Sequence, residues 1–191
     1  ETVRSAHSSL LEERFQTEIV NMGLEKLGYK IATPKEIEYA TLFVALGNNS
    51  IDYTTVYWEK IHQKFYENAG GDEKLQAAGV MTTDTVQGYQ IDKKTAEQYN
   101  ITNIEQLEDP NIARIFDTDG DGKANLTGCN AGWGCERVVD HHIKTYGLQD
   151  TVEQNKGSYS VLIADTITRY QQGEPVLFYT WTPYWIGAVL Q

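Results

Sequence analysis

An α/β fold is predicted for this chain by three observations. Helix-periodic segments alternate along it with short segments rich in β-branched and aromatic residues. Hydrophobic residues make up 40% and charged residues 23%, a globular balance. No run of about 20 apolar residues occurs, so no membrane-spanning helix and no direct membrane insertion is expected. The 191 residues suffice for one large domain or two small lobes.

The elements follow in order. Ser9 to Glu12 has the spacing of a capping box, and Leu11, Phe15, Ile19 and Met22 then fall at helical spacing, with Gly28 as the stop. Tyr29-Lys30-Ile31 reads as a short strand, and Thr33-Pro34 as the start of a helical turn. Ile51 to Tyr57 reads as a strand, followed by a helix from Trp58 to Ala69 closed by Gly70-Gly71. Gly79 to Asp92 alternates well enough for one or two strands. Lys93–Tyr99 and Thr102–Leu107 look helical, and Asp109-Pro110 opens a third short helix through Phe116. Asp117 to Ala131 reads as loop, Trp133–Tyr146 and Tyr159–Tyr170 as helices, and Pro175–Trp181 as a strand turned by Thr182-Pro183 into a final segment. A boundary near Asp92 divides the chain into lobe A over 1–92 and lobe B over 93–191.

Charge narrows the function. Sixteen basic against 27 acidic residues give a net charge of −11, which argues against nucleic acid and anionic lipid as partners. Polar Glu1 to Ser9 is not a signal peptide, so an exported protein would already have lost its leader. Among 12 Tyr, 4 Trp and 5 Phe, three tryptophans stand at junctions: Trp58 after a strand, Trp133 before a helix and Trp181 at a strand end. Ligands in α/β sheets bind beyond strand carboxyl ends. Three aromatic faces there would suit a cation without hydrogen-bond donors, and core packing is the competing account. His62, one helical turn after Trp58, shares its face and could donate to an anionic group, or be an ordinary core or surface histidine.

The run Gly128-Cys129-Asn130-Ala131-Gly132-Trp133-Gly134-Cys135-Glu136 is the most informative stretch. A Cys129–Cys135 disulfide would close a small loop around Trp133, and Gly134 and Cys135 would offer backbone N–H groups at a helix start, where anions bind. A reactive cysteine pair is the rival reading, although the spacing is not Cys-x-x-Cys and Glu136 would raise a nearby thiol. Asp117, Asp119 and Asp121, with Asn125, match the first half of a calcium loop, but Gly128 stands where the bidentate Glu belongs. A partial calcium site and a metal-free Asx turn both remain open. No nucleophile motif or phosphate loop is present, so an enzyme is not expected.

Four runs carry a more specific likeness: Ala69-Gly70-Gly71-Asp72; Gly88-Tyr89-Gln90-Ile91-Asp92-Lys93-Lys94-Thr95-Ala96; Leu126 to Asn130 with Gly132 to Glu136; and Tyr179-Thr180-Trp181-Thr182-Pro183-Tyr184-Trp185. In order and spacing the chain resembles the periplasmic glycine betaine/proline betaine-binding proteins, the substrate-binding components of osmoregulatory ABC importers. The resemblance implies a two-lobed, type II periplasmic-binding-protein fold with a ligand cleft between lobes, a periplasmic location and a membrane permease as partner; no cofactor is expected beyond the calcium left open at Asp117, Asp119 and Asp121. It implies that Trp58, Trp133 and Trp181 box the quaternary ammonium. His62 and the N–H groups of Gly134 and Cys135 would hold the carboxylate, and Cys129 and Cys135 would form the family's disulfide. The chain departs from the pattern at Glu59-Lys60, where Thr-Pro is expected, and at Ala131, where a proline is expected. The family also continues well past the position of Gln191, so the second lobe is expected to be truncated at its C-terminus.

Overall fold

A computed structural model describes residues 1–190. The chain divides into two compact units. The first holds Glu1–Thr83 with Gly132–Gly134, and the second holds Asp84–Ala131 with the chain from Cys135 onward.

Unit 1 runs β1 (Thr2–Val3), β2 (Ser5–His7), α1 (Leu11–Lys26), β3 (Lys30–Ile31), β4 (Lys35–Glu36), α2 (Tyr39–Gly47), β5 (Tyr53–Thr54) and α3 (Glu59–Asn68). β1 pairs with β3, and β2 lies between β4 and β5, all in parallel. Parallel strands need covering on both faces, and β2 is buried throughout. Its short polar sequence gave no strand signal. The helical turn expected at Thr33-Pro34 is instead extended chain, because Lys35 and Glu36 pair with Ala6 and His7. Of the Ile51–Tyr57 segment only Tyr53–Thr54 pairs as a strand, against Ser5 and Ala6.

Helix α1 starts at Leu11, but the Ser9–Glu12 capping box does not form. Leu10 is the N-cap and makes no side-chain cap bond, and the Leu10 N–H goes to Ser8 Oγ at 3.2 Å. The buried residues of α1 are Glu13, Thr17 and Asn21, whereas Leu11, Phe15, Ile19 and Met22 are exposed. Inward polar groups must be satisfied, and they are. Thr17 Oγ1 donates to the Glu13 carbonyl at 2.9 Å, and the Tyr53 hydroxyl donates to Asn21 Oδ1 at 2.6 Å. Helices α2 and α3 approach closely at Gly47, where a Cβ would collide with the Ala69 carbonyl oxygen. Leu42, Phe43, Val56 and Phe65 are buried in the core of this unit.

Unit 2 runs β6 (Val86–Ile91), α4 (Lys93–Tyr99), a 3₁₀ turn (Ile104–Glu108), α5 (Pro110–Ala113), β7 (Ala124–Thr127), α6 (Gly134–Thr145), β8 (Val152–Asn155), α7 (Tyr159–Gln171) and β9 (Leu177–Thr182). The sheet order is β6-β9-β7-β8, with β6 antiparallel to β9 and the rest parallel. Asp92 caps α4 by accepting from Thr95 N at 2.8 Å, and its other oxygen accepts from Val176 N at 3.1 Å just before β9. The Thr102–Leu107 helix is a 3₁₀ turn with an Asn103/Gln106 capping box. Strand β7 lies inside the stretch expected to be loop, and Ala124 and Leu126 are fully buried there. The Thr182-Pro183 peptide is cis, and the chain then turns through a 3₁₀ segment at Trp185–Ala188.

Candidate ligand-binding site

Unit 1 gathers Trp58, His62, Trp133 and Gly134 around the N-terminal end of α3. Trp58 is the N-cap of α3 and is half-buried. Its backbone N–H donates to His62 Nδ1 at 3.2 Å, while the His62 N–H closes the first helical turn onto the Trp58 carbonyl at 2.8 Å. A neutral imidazole that accepts at Nδ1 carries its proton on Nε2, so His62 presents Nε2–H as a donor. The imidazole is fully buried, with its centroid 4.3 Å from Tyr39 and 5.7 Å from both Phe43 and Phe65. Trp133 is buried as well, 5.2 Å from Tyr39, and its Nε1–H donates to Glu38 Oε2 at 2.7 Å.

Gly134 opens α6. A Cβ on it would lie 2.5 Å from the Ile61 carbonyl oxygen, so the absence of a side chain lets Gly134 press on α3 one residue before His62. Gly134 and Cys135 stand in the first turn of a 12-residue helix, whose N–H groups the helix itself cannot satisfy.

Beneath this cluster lies a residue that sequence reading missed. The Glu13 carboxylate is buried and accepts from the Tyr39 hydroxyl at 2.7 Å, from Trp58 Nε1 at 3.3 Å and from both Ser8 N and Ser8 Oγ. Burial pushes its carboxyl above the usual glutamate range, and these donors only partly oppose that. Burial and the Glu13 charge together push the Tyr39 hydroxyl well above the usual phenol value. The available signal was the polar periodicity of Glu13, Thr17 and Asn21, which in sequence looks the same as a solvated helix face.

Unit 2 places Trp181 in β9 within a nest of tyrosines. Its ring lies 4.5 Å from Tyr184, 4.9 Å from Tyr159 and 5.9 Å from Tyr179. The Tyr159 hydroxyl donates to the Tyr179 carbonyl at 2.8 Å, and Tyr159 N donates to Asn130 Oδ1 at 2.7 Å. Cys129 and Cys135 are joined in a disulfide and are buried, and there is no free cysteine among the described residues. The bond fixes the two ends of the segment that carries Trp133.

Carboxylate oxygens of Asp117, Asp119 and Asp121 come within 4.8 Å of one another. Asp117 accepts from Gly120 N at 2.7 Å, Gly122 N at 2.8 Å and Asp119 N at 3.2 Å, contacts that hold its carboxyl below the usual range. Asn125 is engaged with Thr118 and Glu153. These contacts are those of an Asx-rich turn.

Over residues 1–190 the sequence matches the family described as the substrate binding domain of ABC-type glycine betaine transport systems. The chain belongs to that family. It is 52% identical over 189 residues to the glycine betaine-binding periplasmic protein OusX of Dickeya dadantii, covering 99% of this chain and 57% of that protein. It is 51% identical over 190 residues to the glycine betaine/proline betaine-binding periplasmic protein of Salmonella typhimurium, covering all of this chain and 57% of that protein. The chain thus spans somewhat over half the length of these relatives. Among solved structures, the glycine betaine, L-proline-binding protein ProX of Borrelia burgdorferi superposes with a TM-score of 0.82 at 21% identity, covering 98% of this chain and 66% of that one. That likeness establishes the fold as the type II periplasmic substrate-binding kind. Among the described residues, no helix is long and apolar enough to cross a membrane.

Proposed function

We propose that the chain is a non-catalytic receptor for quaternary-ammonium betaines, glycine betaine or proline betaine, that serves the permease of an ABC importer in the periplasm. The observation that carries this reading is the unit 1 cluster. Unit 1 supplies two indoles, a histidine whose Nε2–H is a donor, and Gly134, the residue at which α6 begins. A betaine has a cation without donors at one end and a carboxylate at the other, and these groups answer both ends. Trp58, Trp133 and Trp181 are assigned to the methylated ammonium, as the family resemblance implies. His62, Gly134 N–H and Cys135 N–H are assigned to the carboxylate. The names of the relatives support the ligand class and the periplasm. The Cys129–Cys135 disulfide also fits an oxidising compartment.

Calorimetric titration of glycine betaine and choline tests the reading. Both ligands carry the same head, so only the carboxylate end separates them. Three donors set against one neutral hydroxyl leave at least one unsatisfied, at about 1–3 kcal/mol, so choline is expected to bind at least ~10-fold more weakly. His62→Ala should lower betaine affinity and narrow that gap. Trp→Ala at 58, 133 or 181 should each remove about 1–2 kcal/mol of binding, with Trp→Phe costing less. Equal affinity for choline would overturn the carboxylate assignment, and unchanged binding in all three alanine variants would overturn the aromatic box.

A further inference from the structure

We propose that Glu38 is the positioning residue for Trp133 and Glu13 its counterpart for Trp58, each holding one indole by its N–H and enriching that ring for a cation. The proposal deepens the betaine reading and rests on it.

An indole has a single donor at one corner of a large ring, so whichever group accepts that proton fixes how the ring is turned. For Trp133 the acceptor is Glu38 Oε2 at 2.7 Å, and for Trp58 it is Glu13 Oε1 at 3.3 Å. In both cases it is a carboxylate oxygen, where a backbone carbonyl or a hydroxyl would have sufficed to satisfy the N–H. A charged acceptor makes the stronger hydrogen bond and draws the proton from nitrogen, which leaves more electron density on the ring. A denser π face attracts a cation more strongly.

The two acids share a frame. Tyr39 follows Glu38 in sequence and donates its hydroxyl to Glu13 at 2.7 Å, and its ring lies 5.2 Å from Trp133 and 4.3 Å from His62. One dipeptide thereby ties both indoles and the histidine together. Glu38 also stands at the N-cap position of α2, where a helix-capping role would be the ordinary account. Its side chain makes no cap hydrogen bond there.

A double-mutant cycle read by calorimetry with glycine betaine tests this in the unmodified chain, Glu38→Gln, Trp133→Phe and the double variant. Gln keeps the size and an acceptor but removes the charge, and Phe removes the N–H. Glu38→Gln alone should weaken binding about five- to ten-fold, and less than about two-fold once position 133 is Phe. The Trp133 indole N–H resonance should shift upfield in Glu38→Gln, a readout that needs no ligand. Equal losses in both backgrounds would mean that Glu38 acts through stability or through space and would overturn the proposal. An unchanged affinity or an unmoved resonance would do the same. The cycle of Glu13→Gln with Trp58→Phe carries the same expectation and the same reversal for the buried acid. Should a Glu13 variant fail to fold, the Glu38 cycle and its resonance decide the proposal. An unmodified chain that does not bind glycine betaine overturns the betaine reading itself, whereas normal binding with a flat cycle overturns only this proposal.

Discussion

Glu13 lies buried among hydroxyl, indole and backbone donors, and its carboxyl is raised because burial disfavours the charged form. A raised carboxyl holds its proton more tightly folded than unfolded. Its contribution to stability is therefore complete below the ordinary glutamate value and is lost as pH rises through the folded value. Between the usual glutamate range and neutrality, thermal melts of the unmodified chain should lose stability with rising pH relative to Glu13→Gln. Carboxylates common to both proteins cancel in that comparison. Parallel pH profiles for the two proteins would show that Glu13 does not titrate in this window. The tryptophans of the proposed site stand out in sequence because each is read at an element junction, a position visible without a fold. Glu13, Glu38 and Tyr39 were not, because their role consists of contacts such as Trp133 with Glu38, 95 residues apart.

At the scale of elements, the seat of Gly134 on α3 depends on its having no side chain. With the Ile61 carbonyl oxygen 2.5 Å from any Cβ there, Gly134→Ala must push the first residue of α6 off α3. Overpacking of this kind costs about 1–3 kcal/mol, and the N–H groups of that first turn would move with it. Urea unfolding should show a lowered midpoint, and betaine titration a loss beyond that of a surface Gly→Ala such as Gly23, which has open space around it. A Gly134→Ala protein with both properties unchanged would remove this helix start from the site. Helices α1, α3, α4, α6 and α7 were readable from spacing because each runs for nearly two turns or more. Helix α2 was not, because Tyr39-Ala40-Thr41-Leu42-Phe43-Val44-Ala45-Leu46-Gly47 is apolar almost throughout and shows no period. Strand β2 was invisible for the opposite reason: Ser5-Ala6-His7 is three residues long and is a strand only because β4 and β5 pair on either side of it.

Over the whole molecule, hydropathy alone misassigns which side of α1 faces in. The apolar stripe is the outer one, with Leu11 77%, Phe15 67%, Ile19 48% and Met22 59% exposed, while Glu13, Thr17 and Asn21 point inward. The inversion has a cause. Unit 1 uses the inner face of α1 to hold polar partners, Ser8, Tyr39 and Trp58 through Glu13 and Ser5 and Tyr53 through Asn21. It follows that the order of mutational costs is reversed from the usual one. Phe15→Ser and Ile19→Ser remove exposed surface and should each change stability by no more than about 0.5 kcal/mol. Asn21→Leu adds an apolar group but takes the Asn21 partner from buried Ser5 and leaves the Tyr53 hydroxyl only its longer contact to the Thr17 carbonyl at 3.3 Å, and should cost about 1–3 kcal/mol. Denaturant midpoints of the three variants, measured side by side, decide between the two orientations. If Phe15→Ser and Ile19→Ser cost as much as Asn21→Leu, the stripe is covered in solution, and α1 contributes to the core through the face that hydropathy would have chosen.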